Sequence, residues 1–335
     1  MAEPRLGWAD VARGGAMMLV VLAHTLQLME VGGWELGWLD TANLYLTAIR
    51  MPLFFLVAGI FAARAIQRSW RALWASRLAL LVYVYFLWML LRAIWFSLVP
   101  WPLGDVEPWQ AFLLSPLWPT NGLWFLFALI LYIVIGRLTR RLPVWLPLGV
   151  AAVISGLAAY DLIPTGGNPV WRSIALYLLF FLLGARLSDA WKSLAARADL
   201  RLLVAALLAI PAGILLFGLL PDSLAGPARV CLSVVCVAAC IVIAAMIARV
   251  RWLAAPFIGV GRRTLPIYVT HAMLLAVLVP LVPAGVTSAV VAAVLFTAVA
   301  IGLSLGLNAL LGPLGGVYNL PKPIRRRLEL RLRTE

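Results

Sequence analysis

A chain of 335 residues has room for two soluble domains, but 64% of its residues are hydrophobic and only 12% are charged, against a soluble norm of roughly 45–50% and 25%. Ten bilayer crossings of about 20 residues each absorb that apolar excess, so the composition specifies an all-α polytopic membrane bundle and excludes a disordered chain or a pair of soluble domains. The 27 basic against 13 acidic residues give a formal charge of +14. The positives fall in short clusters between apolar runs, which argues for a lipid bilayer partner and against nucleic acid.

Ten runs long enough to cross a bilayer follow in chain order. They are Trp8 to Met29, Leu44 to Ile66, Leu78 to Val99, Gly122 to Ile135, Pro143 to Tyr160, Val170 to Leu187, Leu202 to Leu220, Ala228 to Ala248, Leu265 to Val279 and Val286 to Leu311. The stretch Met1 to Leu6 is too poorly basic for a signal-peptide start, and no small-residue cleavage pattern follows Leu28. The first run is therefore expected to stay in the mature protein.

Basic residues alternate between the connections. Arg5 and Arg13 open the first run; Arg64, Arg68, Arg71 and Arg77 follow the second; Arg137, Arg140 and Arg141 follow the fourth. Arg186, Lys192, Arg197 and Arg201 follow the sixth, and Arg249, Arg251, Arg262 and Arg263 the eighth. With Lys322, Arg325, Arg326, Arg327, Arg331 and Arg333 in the tail, 23 of the 27 share one side, which the positive-inside rule makes cytoplasmic. Both termini are then cytoplasmic, and an even number of spans such as ten is required. Only Lys192 and Lys322 are lysine, a bias that fits a GC-rich bacterial genome, so the expected location is the bacterial cytoplasmic (inner) membrane. The expected organisation is a ten-helix membrane domain over 1–312 and a basic cytoplasmic tail over 313–335. From Ile324 to Arg333 the tail alternates arginine with leucine, as an interfacial helix on the anionic inner leaflet would, or a solvated topogenic segment.

The opposite connections carry Glu30, Glu35, Asp40, Asp105, Glu107, Asp161 and Asp222, together with Trp34, Trp38, Trp101, Trp109 and Trp118. An interfacial aromatic belt accounts for most of these tryptophans; sugar stacking and hydrogen bonding by the long segment from Pro100 to Asn121 is the less favoured alternative. Cys231, Cys236 and Cys240 share one apolar run and read as helix-packing residues without a disulfide. The chain has only two histidines, 247 positions apart, so no metal site is expected. No internal repeat supports inverted-repeat transport.

An ionisable group inside a span is costly and marks function by default. The first run holds Asp10, Arg13 and His24. At 100° per residue the step from Arg13 to His24 returns to within about 20° of one direction, and it climbs about 16 Å. Asp10 and Arg13, three apart, share that side. The stripe fits either an interfacial ion pair with a packing histidine, or a functional imidazole able to act as a base near neutral pH. The ninth run carries Thr264, Tyr268 and His271 on one side; these can face the first stripe or serve only as mutual structural partners. The third run places Arg77, Trp88 and Arg92 in a narrow wedge, and the second carries Arg50. Arg50 and Arg92 fall toward the outer leaflet with no acid in their own spans. Either Glu30, Glu35 or Asp40, or an anionic ligand, must balance them.

These residues resemble acyltransferase family 3. Asp10, Arg13 and His24 fit its D-x-x-R and R-x(10)-H pattern. Pro52-Leu53-Phe54-Phe55-Leu56-Val57-Ala58-Gly59 is similar to its FF-x-x-SG stretch, with Ala58 where serine is common. Leu123-Trp124-Phe125-Leu126 resembles its WFL motif, and the segment from Gly261 to His271 its G-x-x-S/T-L-x-I-Y-x-x-H motif. The resemblance implies an integral membrane enzyme of about ten spans that acylates sugars, nearest to the fucose 4-O-acetylase-like branch. It also implies a single-module enzyme, since no hydrolase-like domain follows the membrane part. On that resemblance acyl-CoA, most simply acetyl-CoA, is the co-substrate, with no bound cofactor and no metal. A glycan or lipid-linked sugar is the acceptor. His24 becomes the catalytic residue, as general base or as acyl carrier. Asp10, Arg13, Arg77, Arg50, Arg92, Tyr268 and His271 become binding residues for donor or acceptor, and Arg64, Arg68, Arg71, Arg262 and Arg263 a basic surface for CoA phosphates. A proton-coupled transporter of a small polar or anionic solute uses membrane histidines and arginines too, and a membrane scaffold needs neither.

Overall fold

The structure, a computed structural model, describes residues 7–103, 106–119 and 122–333. Among these residues all regular structure is helical. The elements are α1 (Gly7–Val31), α2 (Trp38–Gln67), α3 (Trp70–Leu73), α4 (Ala79–Phe96), α5 (Pro108–Leu114), α6 (Trp124–Leu138), α7 (Trp145–Ala159) and α8 (Pro169–Arg186). They continue as α9 (Ser188–Ala196), α10 (Leu200–Gly218), α11 (Asp222–Ala248), α12 (Arg251–Gly261), α13 (Thr264–Leu278), α14 (Ala289–Leu311) and α15 (Lys322–Arg333). Eight helices are long and apolar enough to cross a membrane, counting Trp70–Phe96 as one, and α6 and α7 are shorter apolar helices. Each of the ten expected runs therefore has its helix, and the protein is a polytopic, multi-pass membrane bundle.

Helix starts follow local chemistry. Asn168 accepts from the Val170 N–H at 2.8 Å just before Pro169 opens α8, and Asp199 accepts from Leu202 N–H at 2.8 Å to begin α10. Both caps satisfy donors that the first helical turn leaves without partners.

At the opposite ends of helices, arginines take over. Arg137 donates to the Ile66 carbonyl, Arg249 to Ala198 at 2.6 Å, and Arg186 to the carbonyls of Arg140 and Leu142. These carbonyls lie at or beyond helix C-termini, where cationic donors match both the missing hydrogen bonds and the dipole. One end of the bundle is thus laced together by arginines from several connections.

Helix α1 occupies the centre, packed on α2, α11, α12, α13 and α14. Its closest approach uses glycine. A Cβ on Gly14 would lie 2.0 Å from the Phe257 carbonyl oxygen, and one on Gly261 would lie 1.9 Å from that of Asp10. Helices α2 and α8 meet in the same way at Gly59 and Gly184.

Three features depart from the linear reading. The segment Arg251–Gly261 is a helix, α12, packed along α1. A π-helical turn at Trp74–Leu78 joins α3 to α4. Its extra residue breaks the 100° arithmetic, so Arg77 is exposed while Arg92 is buried. After α14 the chain folds back on α4: Tyr83 donates to the Gly316 carbonyl at 2.8 Å, Trp88 to the Val317 carbonyl at 2.9 Å, and the Tyr318 ring stacks on Trp88. Gly315 and Gly316 take positive φ there, a conformation that admits glycine readily.

Candidate active site

The two histidines meet. Their ring centroids are 5.2 Å apart at 41°, bringing together helices whose sequences are separated by more than two hundred residues. His24 Nδ1 lies 3.1 Å from Gln27 Oε1, and His271 Nδ1 lies 2.9 Å from the Ile267 carbonyl. The Ile267 carbonyl can only accept, which places the proton of His271 on Nδ1 and leaves its Nε2 lone pair free. His271 is 2% exposed and its Nε2 has no hydrogen-bond partner. The centre thus holds two imidazoles side by side, one of them with a buried ring nitrogen that no other group engages.

Tyr268 completes it from the turn below His271. Its hydroxyl accepts the Phe125 N–H at 3.1 Å, which is one of the partnerless donors at the start of α6. Phe125 in turn packs against Phe54 and Phe55, with ring centroids 4.7 Å away in both cases. The motif residues are therefore neighbours in space: Gly261 against Asp10, Tyr268 on Phe125, Phe125 on Phe54 and Phe55, His271 beside His24. Met17, Val20, His24, Phe54, Gly122, Trp124 and Tyr268 are among the residues enclosing a cavity of about 40 Å³. Met17, Val20 and His24 share one wall, as the first stripe requires.

Toward the arginine-laced end, Asp10 is 7% exposed and bridges two cations. Arg13 Nη2 lies 2.8 Å from Oδ1, and Arg262 Nε lies 3.3 Å from Oδ2. Arg13 also covers the Phe61 ring at 4.7 Å, and Arg77 donates to the Phe61 carbonyl at 3.3 Å. Asp10 stands fourteen residues, about 21 Å of helix, from His24, and Arg13 about 16 Å. Arg262 as the second partner of Asp10 was not evident in the sequence, because only the packing of α12 on α1 brings it there.

At the other end, Arg92 is buried (7% exposed) between the rings of Phe96 and Trp101, 4.9 Å and 5.9 Å from its guanidinium carbon. Its Nη1 has no hydrogen-bond partner. It lines a second cavity of about 430 Å³, and Gly122 borders both this cavity and the one at His24. Arg50 donates to Asn43 Oδ1 at 2.5 Å, and among the described residues no carboxylate pairs with Arg50 or Arg92. Arg229 on α11, which sequence reasoning passed over, adds its charge near Arg50. Its only signal was being one of four cations outside the basic connections. Among the described residues no group of three His, Cys, Asp or Glu side chains gathers as metal ligands would.

The chain matches, over residues 6–309, the family described as an acyltransferase domain. No curated protein and no solved structure matches it.

Proposed function

The chain belongs to acyltransferase family 3 and is an acyltransferase; from that premise we propose that it moves an acetyl group from cytoplasmic acetyl-CoA to a sugar hydroxyl presented at the far side of a bacterial inner membrane. The observation that carries this reading is the contact between two imidazoles, with a partnerless Nε2 on His271, lying between a basic end and a second polar cavity. CoA is polyanionic, and Arg13, Arg77, Arg262 and Arg263 with Arg64, Arg68 and Arg71 form a suitable landing surface for its phosphates. The pantetheine arm then runs from Asp10 and Arg13 toward His24.

His24 Nε2 removes the proton of the acceptor hydroxyl as its oxygen attacks the thioester carbonyl. The C–O bond forms, the C–S bond breaks, and the proton passes to the departing thiolate, giving an ester and free CoA. Positioned base catalysis of this kind contributes typically 10²–10⁴-fold. In the relay variant His24 Nε2 takes the acyl group and hands it on. Arg92 and Arg50 balance an anionic group on the acceptor.

The test is acetyl-CoA turnover by purified protein. His24→Ala is expected to lower CoA release by at least about a hundredfold while the protein still folds. Retained turnover refutes the assignment, and solute flux into proteoliposomes without acetyl-CoA supports a transporter instead.

A further inference from the structure

Beyond α14 the chain is pinned to the bundle before it runs out as a separate helix. The strap through Gly316, Val317 and Tyr318 is fixed on α4 by the Tyr83 hydroxyl, the Trp88 indole and a ring stack. Shortly after it, α15 starts beside the π turn at Trp74–Leu78. That turn presents Trp74 at 47% exposure, with Trp70 just before it at 44%. Exposed indoles favour the headgroup level of a bilayer, so the strap sets α15 down at that depth. From Lys322 to Leu330 every side chain except Leu328 is exposed, and a helix of 12 residues with so little packing is marginal in water. Its charges add to the difficulty. Six cations stand against one carboxylate, Glu329. The first turn holds Lys322 and Arg325 with no acid, at the positive end of the helix dipole. The Arg325–Glu329 pair, 2.8 Å long but largely exposed, is screened and offsets little.

We propose that α15 is a docking helix for anionic phospholipid headgroups of the leaflet on which it rests. At 100° per residue Ile324 and Leu328 lie about 40° apart, and Arg325 and Arg327 flank their midline at about 80° on either side. In that arrangement two apolar side chains enter the acyl boundary while the flanking arginines reach phosphates at its edge. Lys322 and Arg326 fall on the opposite side, where they add to the long-range attraction without inserting. The leaflet supplies both things the helix lacks: apolar cover for Ile324 and Leu328, and negative charge at its start. Sequence left a solvated tail open as well. The strap on α4 and the two tryptophans at its foot favour the surface, because they fix the depth of the helix and not only its charge. The proposal is independent of the acyltransfer reading.

Hydrogen–deuterium exchange read by mass spectrometry tests this on the intact protein, in nanodiscs of phosphatidylcholine alone or of phosphatidylcholine and phosphatidylglycerol in equal parts. At low salt the amides of 322–333 are expected to exchange at least about tenfold more slowly in the mixture, and the gain should shrink as salt screens the surface. Arg325→Gln combined with Arg327→Gln should remove most of that gain. Equal, slow exchange in both lipids overturns the proposal, because the protein alone then holds the helix. Equal, fast exchange in both overturns it in favour of a solvated tail. Acetyl-CoA added to discs of phosphatidylcholine alone should leave these amides unchanged. If it protects them as far as phosphatidylglycerol does, the cations belong to the donor and the lipid assignment fails. The lipid comparison uses the unaltered protein, so it does not depend on whether a variant folds.

Discussion

Tyr268 shows how one side chain can tie two helices together beside the histidine pair. Its hydroxyl is the acceptor for the Phe125 N–H, so it caps α6 and sets the distance between that helix and the two imidazoles. Tyr268→Phe leaves a buried N–H without a partner, a loss of about 1–3 kcal/mol. The expected result is a lower melting temperature in detergent with CoA release retained; an unchanged melting temperature with lost turnover would assign the hydroxyl to the reaction instead. Gly122 poses a complementary case, because a Cβ there would lie 2.9 Å from Arg92 Nε at the junction of the two cavities. Gly122→Val should raise the KM for the acceptor sharply while sparing slow hydrolysis of acetyl-CoA by water. Equal loss of both activities would show that the junction shapes the donor side as well. Asp10 is different again: Asp10→Ala leaves Arg13 without its carboxylate. Arg13 and Arg262 keep some solvent contact, at 27% and 49% side-chain exposure, so the loss should fall below the about 3–5 kcal/mol of a fully buried pair.

Between helices, the deciding contacts are glycines against carbonyls. A Cβ on Gly184 would lie 2.0 Å from the Leu56 carbonyl oxygen and one on Gly59 would lie 2.1 Å from that of Phe181. Close backbone approach through small residues is the usual basis of helix association within a bilayer. Gly184→Leu should therefore separate α2 from α8 and abolish a monodisperse peak in size-exclusion chromatography, whereas Gly149→Ala on α7, with nothing within 4 Å of its Cβ, should not. Loss of both would point to a general intolerance of substitution.

The same scale shows what was readable beforehand. Ten apolar helices, eight of them long enough to cross a membrane, and the stripes through His24 and His271 were legible because helical periodicity and bilayer thickness are local constraints. The segment from Gly261 to His271 was readable as a motif, but its partners were not. That Gly261 abuts Asp10 and Tyr268 holds Phe125 depends on how α12, α13 and α6 pack. The helix α12 escaped notice because eleven residues with Pro256 inside carry no span signal. The fold-back at Tyr318 rests on contacts far along the chain, to which a window of sequence is blind.

Over the whole molecule, the site is asymmetric along the bundle axis. His24 lies about 21 Å from Asp10 and only about 10 Å from the end of α1 at Val31, so the centre is nearer the end that carries Arg92 and its cavity. The opposite end holds the arginine-capped helix termini and the basic connections. If that end is cytoplasmic, as its charge demands, donor and acceptor approach from different compartments, and the reaction carries an acyl group most of the way across the membrane without moving CoA. Proteoliposomes with defined orientation make this measurable. Acetyl-CoA supplied only on the side of α15, identified by a protease-sensitive tag after Glu335, should support turnover, while acetyl-CoA confined to the other side should not. Free CoA should appear only where acetyl-CoA was added. Equal turnover from both sides would mean that the donor also enters through the Arg92 cavity, and the separation of roles between the two polar ends would have to be abandoned.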